Sequence, residues 1–162
     1  MDIINQIQEN NNINDICIYY DILHFNKLLS KDKRQLLIIH MNARSVTNKF
    51  DELKMILQML STKPHVTAIS ESWLSEENTE YYKIKGYASF HLVRNTRTHG
   101  GVSLYISEQL NSTPFSPLTY VSDEIEILTA KFTFGDQSYT VCSVYRPKSK
   151  HEGVESFTQE IC

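Results

Sequence analysis

Apolar residues crowd into Leu36-Leu37-Ile38-Ile39-His40-Met41, directly after the charged connector Ser30 to Gln35. A short, nearly continuous run of this kind reads as a strand covered on both faces. The period then changes. Phe50, Leu53, Leu57 and Leu60 recur at intervals of three and four and form the apolar stripe of a helix. Thr47 or Asn48 can cap its start, Asp51 and Glu52 suit the positive end of its dipole, and Pro64 closes it. His65 to Ser70 reads as a second strand. Strand, helix and strand at this spacing make a βαβ unit, so the two strands are expected to be parallel.

Beyond Glu71 the pattern differs. Ser75 to Lys85 is polar and loop-like, and Tyr87 to Val93 reads as a strand. Gly100-Gly101 punctuates before another strand, Val102 to Ser107, and Pro114 and Pro117 mark an extended stretch. Glu124 to Phe134 and Gln137 to Tyr145 are β-rich runs split by Gly135-Asp136, a hairpin signal. Ile16 to Leu29 fits either a short helix or an extended lead-in, and Val154 to Ile161 has a weak helical pattern. A βαβ unit followed by antiparallel hairpins implies an α/β layered domain with a mixed sheet. The chain divides into a polar lead-in, residues 1–35, and a domain, residues 36–162.

Composition narrows the class. The chain has 162 residues, 41% hydrophobic and 22% charged, as expected of one globular domain or part of a larger one. A formal charge of −3 argues against a protein that coats DNA non-specifically, but not against an enzyme that meets phosphate through a cation. Two local basic stretches stand out: Arg94, Arg97 and His99, then Arg146, Lys148, Lys150 and His151. Either alone reads as a solvated loop; both flank the motifs below, which puts a phosphate-facing role on an equal footing with that reading. The cysteines Cys17, Cys142 and Cys162 lack metal-ligand spacing and fit a reducing interior, nuclear or cytoplasmic. No apolar run approaches membrane-spanning length, and the Asn-rich start lacks the form of a secretory signal.

Three polar residues end three strand-like runs: Asn42, Glu71 and Tyr145. Ligands of α/β sheets bind where loops leave the carboxyl ends of strands. Glu71 suits a hard divalent cation, which one or two carboxylates and substrate phosphate oxygens hold. Asn42 can orient a phosphate oxygen or a metal-bound water, and Tyr145 can donate to a phosphate oxygen. Each has a plainer reading alone: a solvated strand-end glutamate, a turn asparagine, a cross-strand tyrosine. Trp73 reads as a packing residue that fixes the loop after Glu71.

The ordered set is more specific. His40-Met41-Asn42-Ala43-Arg44-Ser45, Ser70-Glu71-Ser72-Trp73-Leu74, His99-Gly100-Gly101-Val102 and Val144-Tyr145-Arg146-Pro147 resemble the endonuclease/exonuclease/phosphatase superfamily. Their wording is most similar to the apurinic-type endonuclease of LINE-like, non-LTR (jockey-like) retrotransposons. The resemblance spans Leu36 to Ile161. It implies a four-layer α/β sandwich of DNase-like fold and Mg²⁺ (or Mn²⁺) dependent cleavage of a DNA phosphodiester. It also implies that Asn42 and Glu71 lie at the metal and that Tyr145 contacts phosphate, while the local basic stretches make Arg146, Arg94 and Arg97 candidate phosphate or DNA contacts. A freed 3′ hydroxyl would prime reverse transcription.

The reaction also needs a positioned base for water. The resemblance places that base in later Gly-Asp-x-Asn and Ser-Asp-His segments, which do not follow Tyr145 here. Gly135-Asp136-Gln137 comes too early, and Ser122-Asp123-Glu124 has glutamate in place of histidine. The expectation is a partial sandwich lacking its second half, inactive alone and prone to self-association through an uncovered sheet. Two alternatives stand beside it: a non-catalytic remnant that binds nucleic acid or a protein, and a phosphatase of the same superfamily.

Overall fold

The computed structural model describes residues 21–29, 35–94 and 99–146. Most of the lead-in, the expected helix at 154–161, Arg97, Lys148, Lys150 and His151 lie outside the described residues. In chain order the elements are α1 (Ile22–Leu28), β1 (Ile38–Asn42), α2 (Phe50–Met59), β2 (Val66–Ser70), β3 (Tyr87–Leu92), β4 (Val102–Ser107), β5 (Thr113–Pro114), β6 (Tyr120–Val121), β7 (Glu126–Phe134) and β8 (Gln137–Tyr145).

One sheet has the order β1-β2-β4-β3. β1 and β2 are parallel, with Ile38 opposite Val66 and Asn42 opposite Ser70, and the other two pairings are antiparallel. The mixed sheet expected from the sequence is therefore present. In the second sheet β8 runs antiparallel along the whole of β7, while β5 and β6 pair with different stretches of β7. Phe134 faces Gln137 across the two-residue turn Gly135-Asp136. Only the first turn residue has positive φ (+60°), the pattern of a type II′ hairpin with glycine first.

The first sheet is the middle layer. Alternate residues of its central strands go to opposite sides. Ile69 and Tyr105 join Leu53, Leu57 and Leu60 of the α2 stripe. Val66, Ala68, Val102, Leu104 and Ile106 meet Leu128, Ala130 and Phe132 of the second sheet. Each of the larger aliphatic and phenylalanine side chains contributes roughly 1.5–3 kcal/mol by leaving water, so this double-sided burial fixes β2 and β4, and with them the loops at their ends.

Two local expectations change. β1 is not covered on both faces: Ile38 is 46% exposed. Among the described residues β1 pairs with β2 alone, and the second sheet packs over β2, β3 and β4. Nor is α2 capped by Thr47 or Asn48. Lys49 holds the N-cap position without a side-chain cap; its Nζ donates instead to Ala43 O at 2.7 Å. Thr47 Oγ1 is taken up by Ser45 Oγ at 2.6 Å. At the other end Lys63 Nζ donates to Leu57 O at 2.6 Å and Gln58 O at 2.9 Å, satisfying last-turn carbonyls with a cation. α1 is a helix, docked there through Asn26 Nδ2 to Met59 O at 2.8 Å.

Candidate active site

The β1–β2 ladder continues past the ends of the strands. Ala43 N donates to Ser70 O at 3.0 Å, Ser45 N to Glu71 O at 2.9 Å and Val46 N to Ser72 O at 2.9 Å. These bonds zip the two exit loops together and bring Asn42 against Glu71. Asn42 Nδ2 donates to Glu71 Oε1 at 2.8 Å, and Asn42 Oδ1 accepts from Arg44 N at 3.2 Å. Asn42 is thus a turn asparagine and a partner of the carboxylate at once. Tyr145, the last residue of β8, comes close enough to the same carboxylate for the two to interact electrostatically. Sheet packing therefore gathers at one point three groups separated by more than a hundred residues of chain.

The loops that leave β1 and β2 are strained. Arg44, Ser45, Glu71 and Trp73 all have positive φ, at +46°, +87°, +54° and +54°. None is glycine, so each stores energy that the surrounding bonds must hold. Such strain clusters where a side chain must be aimed rather than packed. No residue pattern announced it.

Behind the loops lies a buried charge pair. Arg94 Nη1 meets Glu126 Oε1 at 3.0 Å, with side chains 4% and 0% exposed. Glu126 Oε2 accepts from Gly101 N at 2.6 Å. Gly101 O accepts from Ser72 N at 3.0 Å and Gly100 O from Trp73 N at 2.9 Å. Glu126 is also the direct cross-strand partner of Tyr145. Both glycines are required here. A Cβ on Gly100 would sit 2.5 Å from Glu126 Oε1, one on Gly101 2.7 Å from Ser72 Oγ, and both have positive φ. Sequence reading missed Glu126. Its signal is a carboxylate inside the apolar run Ile125-Glu126-Ile127-Leu128, which can be buried only if paired.

The same pair places Arg94 differently from the sequence expectation. Its guanidinium turns inward, where Nη2 also donates to Ser122 O at 2.9 Å and Asp123 Oδ1 at 3.0 Å. Arg146 is exposed beside Tyr145. Trp73 is half-buried and meets the exposed His99 edge-on, with ring centres 4.3 Å apart. A small groove of about 110 Å³ runs from Asn42 along α2, lined by Met41, Val46, Leu53 and Ile56 among others; it is apolar and away from Glu71 and Tyr145.

Electrostatics assign the protons. The Tyr145 phenol is pushed up to about 12 by burial first, then by its interaction with Glu71 and the charge of Glu126. It stays protonated at neutral pH and keeps its O–H available to donate. Burial also raises the Glu126 carboxyl, against the pull of the Gly101 amide and Arg94. Glu71 and the amide oxygen of Asn42 are hard oxygen donors, the kind Mg²⁺ takes with substrate phosphate completing the shell. Among the described residues no three or more His, Cys, Asp or Glu cluster to hold a metal ion, at Glu71 or elsewhere. None of their helices is long and apolar enough to cross a membrane.

No protein-family model matches the sequence, and no curated protein sequence does. Solved structures do. Humanized D. rerio TDP2 carrying 14 mutations superposes with a TM-score of 0.51 at 18% identity, over 72% of this chain and 52% of that one. D. rerio TDP2 complexed with single strand DNA product gives a TM-score of 0.55 at 18% identity, over 78% of this chain and 52% of that one. The chain thus has the DNase-like α/β fold of TDP2 and spans about half the length of those chains.

Proposed function

We propose that Asn42, Glu71 and Tyr145 are the metal- and phosphate-binding half of a DNA phosphodiesterase site of the endonuclease/exonuclease/phosphatase superfamily. One observation carries this reading: an amide, a carboxylate and a protonated phenol converge at the carboxyl ends of β1, β2 and β8, beside the strained loops that leave β1 and β2. The TDP2 structure that holds a single strand DNA product supports a nucleic-acid substrate.

Glu71, oriented by Asn42, is the ligand for Mg²⁺ or Mn²⁺, and a cation there would polarise a phosphoryl oxygen and stabilise the leaving oxygen. Tyr145 turns its O–H to a non-bridging phosphate oxygen. Arg146 extends the positive surface along the strand. Water must still lose a proton, and these residues cannot take it: Glu71 is engaged and Tyr145 is already protonated. His24 with Asp21 does form a histidine–aspartate pair at 2.8 Å, but on α1, which docks at the opposite end of α2 from Asn42. None of these groups is placed to serve as that base. The motif wording favours the nicking endonuclease of a non-LTR retrotransposon, with residues 36–162 as its amino-terminal half.

The test is a Mn²⁺ titration followed at the indole N–H resonance of Trp73, the single tryptophan, two residues from Glu71. Saturable broadening in the wild type, abolished by Glu71→Gln, is the expected result. Broadening that survives Glu71→Gln would refute the site.

A further inference from the structure

Of the charged groups that this site does not use, the buried pair Arg94–Glu126 has the most direct connection to it. We infer that Glu126 is a positioning residue, held by Arg94, that sets the aim of Glu71 through the backbone of Gly100-Gly101. The inference rests on the metal-site reading above and adds what holds that site in shape.

The route is short and fully bonded. Glu126 Oε2 takes the Gly101 amide at 2.6 Å. The carbonyls of Gly101 and Gly100 hold Ser72 N and Trp73 N at 3.0 and 2.9 Å. Those two residues follow Glu71, and the turn alternates positive φ at Glu71 and Trp73. A turn in that conformation relaxes unless it is held. From the other side, Glu126 faces Tyr145 across the β7–β8 ladder. One residue thus links the Gly100-Gly101 segment, which holds the backbone that follows Glu71, to the strand that carries Tyr145.

A simple stabilising role does not account for the choice of residues. A buried ion pair is weak evidence for stability, because apolar side chains of similar volume often serve as well or better. What apolar residues cannot do is accept the Gly101 N–H. Gly100 points the same way, since any side chain there would strike Glu126 at 2.5 Å. The sequence accommodates the carboxylate, not only the turn.

Two charge-free double variants separate the roles. Arg94→Met with Glu126→Gln keeps an acceptor for Gly101 N–H; Arg94→Met with Glu126→Leu removes it. The probe is Mn²⁺ on the full chain, read at Trp73, together with amide exchange of Ser72 and Trp73. Expected is Mn²⁺ affinity within about twofold of wild type for the first double and weaker by about tenfold or more for the second, the usual scale for a residue that orients a metal ligand. Exchange at Ser72 and Trp73 should rise by about tenfold in the second alone. Equal affinity and exchange in the two doubles, whether high or low, would overturn the inference. If the leucine double does not fold, Glu126→Asp takes its place. It keeps the charge but is one methylene too short for Gly101, and wild-type affinity and exchange there would equally overturn the inference. If wild type shows no Glu71-dependent broadening, the metal reading fails, and the exchange rates alone decide the positioning role.

Discussion

Asn42 and Glu71 meet at 2.8 Å where two parallel strands end, the amide donating to the carboxylate. The bond is exposed, so it contributes little to folding, yet it leaves the carboxylate only part of its rotational freedom. Asn42→Ala should change stability by less than about 1 kcal/mol and weaken Mn²⁺ binding by about tenfold. Urea denaturation and the Trp73 titration measure the two separately. A variant that unfolds easily but binds normally would show that Asn42 serves the turn and not the site.

The strain at Glu71 has its own signature. At φ +54° a Cβ is costly, by about 1 kcal/mol relative to glycine. Glu71→Gly should therefore be more stable than Glu71→Ala by about that amount, with metal binding lost in both. Equal stabilities would mean that the left-handed turn is not held in solution.

Gly100→Ala and Gly101→Ala should each destabilise the fold by about 2–4 kcal/mol, combining a disfavoured φ with a clash against Glu126 or Ser72. Thermal unfolding would show it. Gly86 also has positive φ but nothing within 4 Å of an added Cβ, so Gly86→Ala should cost only the backbone part, about 1 kcal/mol.

The two arginines should respond differently. Arg94→Ala strands the buried Glu126 and should cost about 3–5 kcal/mol. Arg146→Ala, at an exposed position, should leave stability within about 0.5 kcal/mol and weaken DNA binding with a shallower salt dependence. A mild Arg94→Ala would contradict the buried pair.

His91 should make stability depend on pH. Its imidazole is lowered to about 4, first by burial, with Lys83 lowering it further and Glu80 opposing. The folded chain thus refuses a proton that the unfolded chain takes at its ordinary value. Between pH 6.5 and about 4 the unfolded state binds more protons, so stability falls as pH falls through that window and is complete above it. The loss should approach roughly 3 kcal/mol. His65, also lowered by burial, adds in the same sense. His91→Gln should flatten the slope measured by urea denaturation at pH 7 and pH 4.5; an unchanged slope would remove His91 from the account.

Much of the layered fold was legible because burial here follows period. The α2 stripe Phe50, Leu53, Leu57 and Leu60, the parallel β1–β2 pair and the Gly135-Asp136 hairpin follow from spacing and turn chemistry. Asn42, Glu71 and Tyr145, which the fold brings together, were legible as polar ends of apolar runs. What spacing cannot carry is partnership across the chain. Arg94 looked like a phosphate contact because its partner, Glu126, lies thirty-two residues away in a different sheet. β1 looked doubly covered because an apolar run does not reveal whether neighbours cover it. The strain at Arg44, Ser45, Glu71 and Trp73 arises from loops zipped by tertiary hydrogen bonds, which no local pattern encodes.

The most direct measurement is binding of a 5′-phosphorylated single-stranded oligonucleotide to the full chain, with and without Mg²⁺, in wild type, Glu71→Gln and Tyr145→Phe. The account predicts affinity that rises with Mg²⁺ in the wild type, loses that dependence in Glu71→Gln, and drops in Tyr145→Phe at every Mg²⁺ concentration. Binding indifferent to Mg²⁺ and to both substitutions would contradict it.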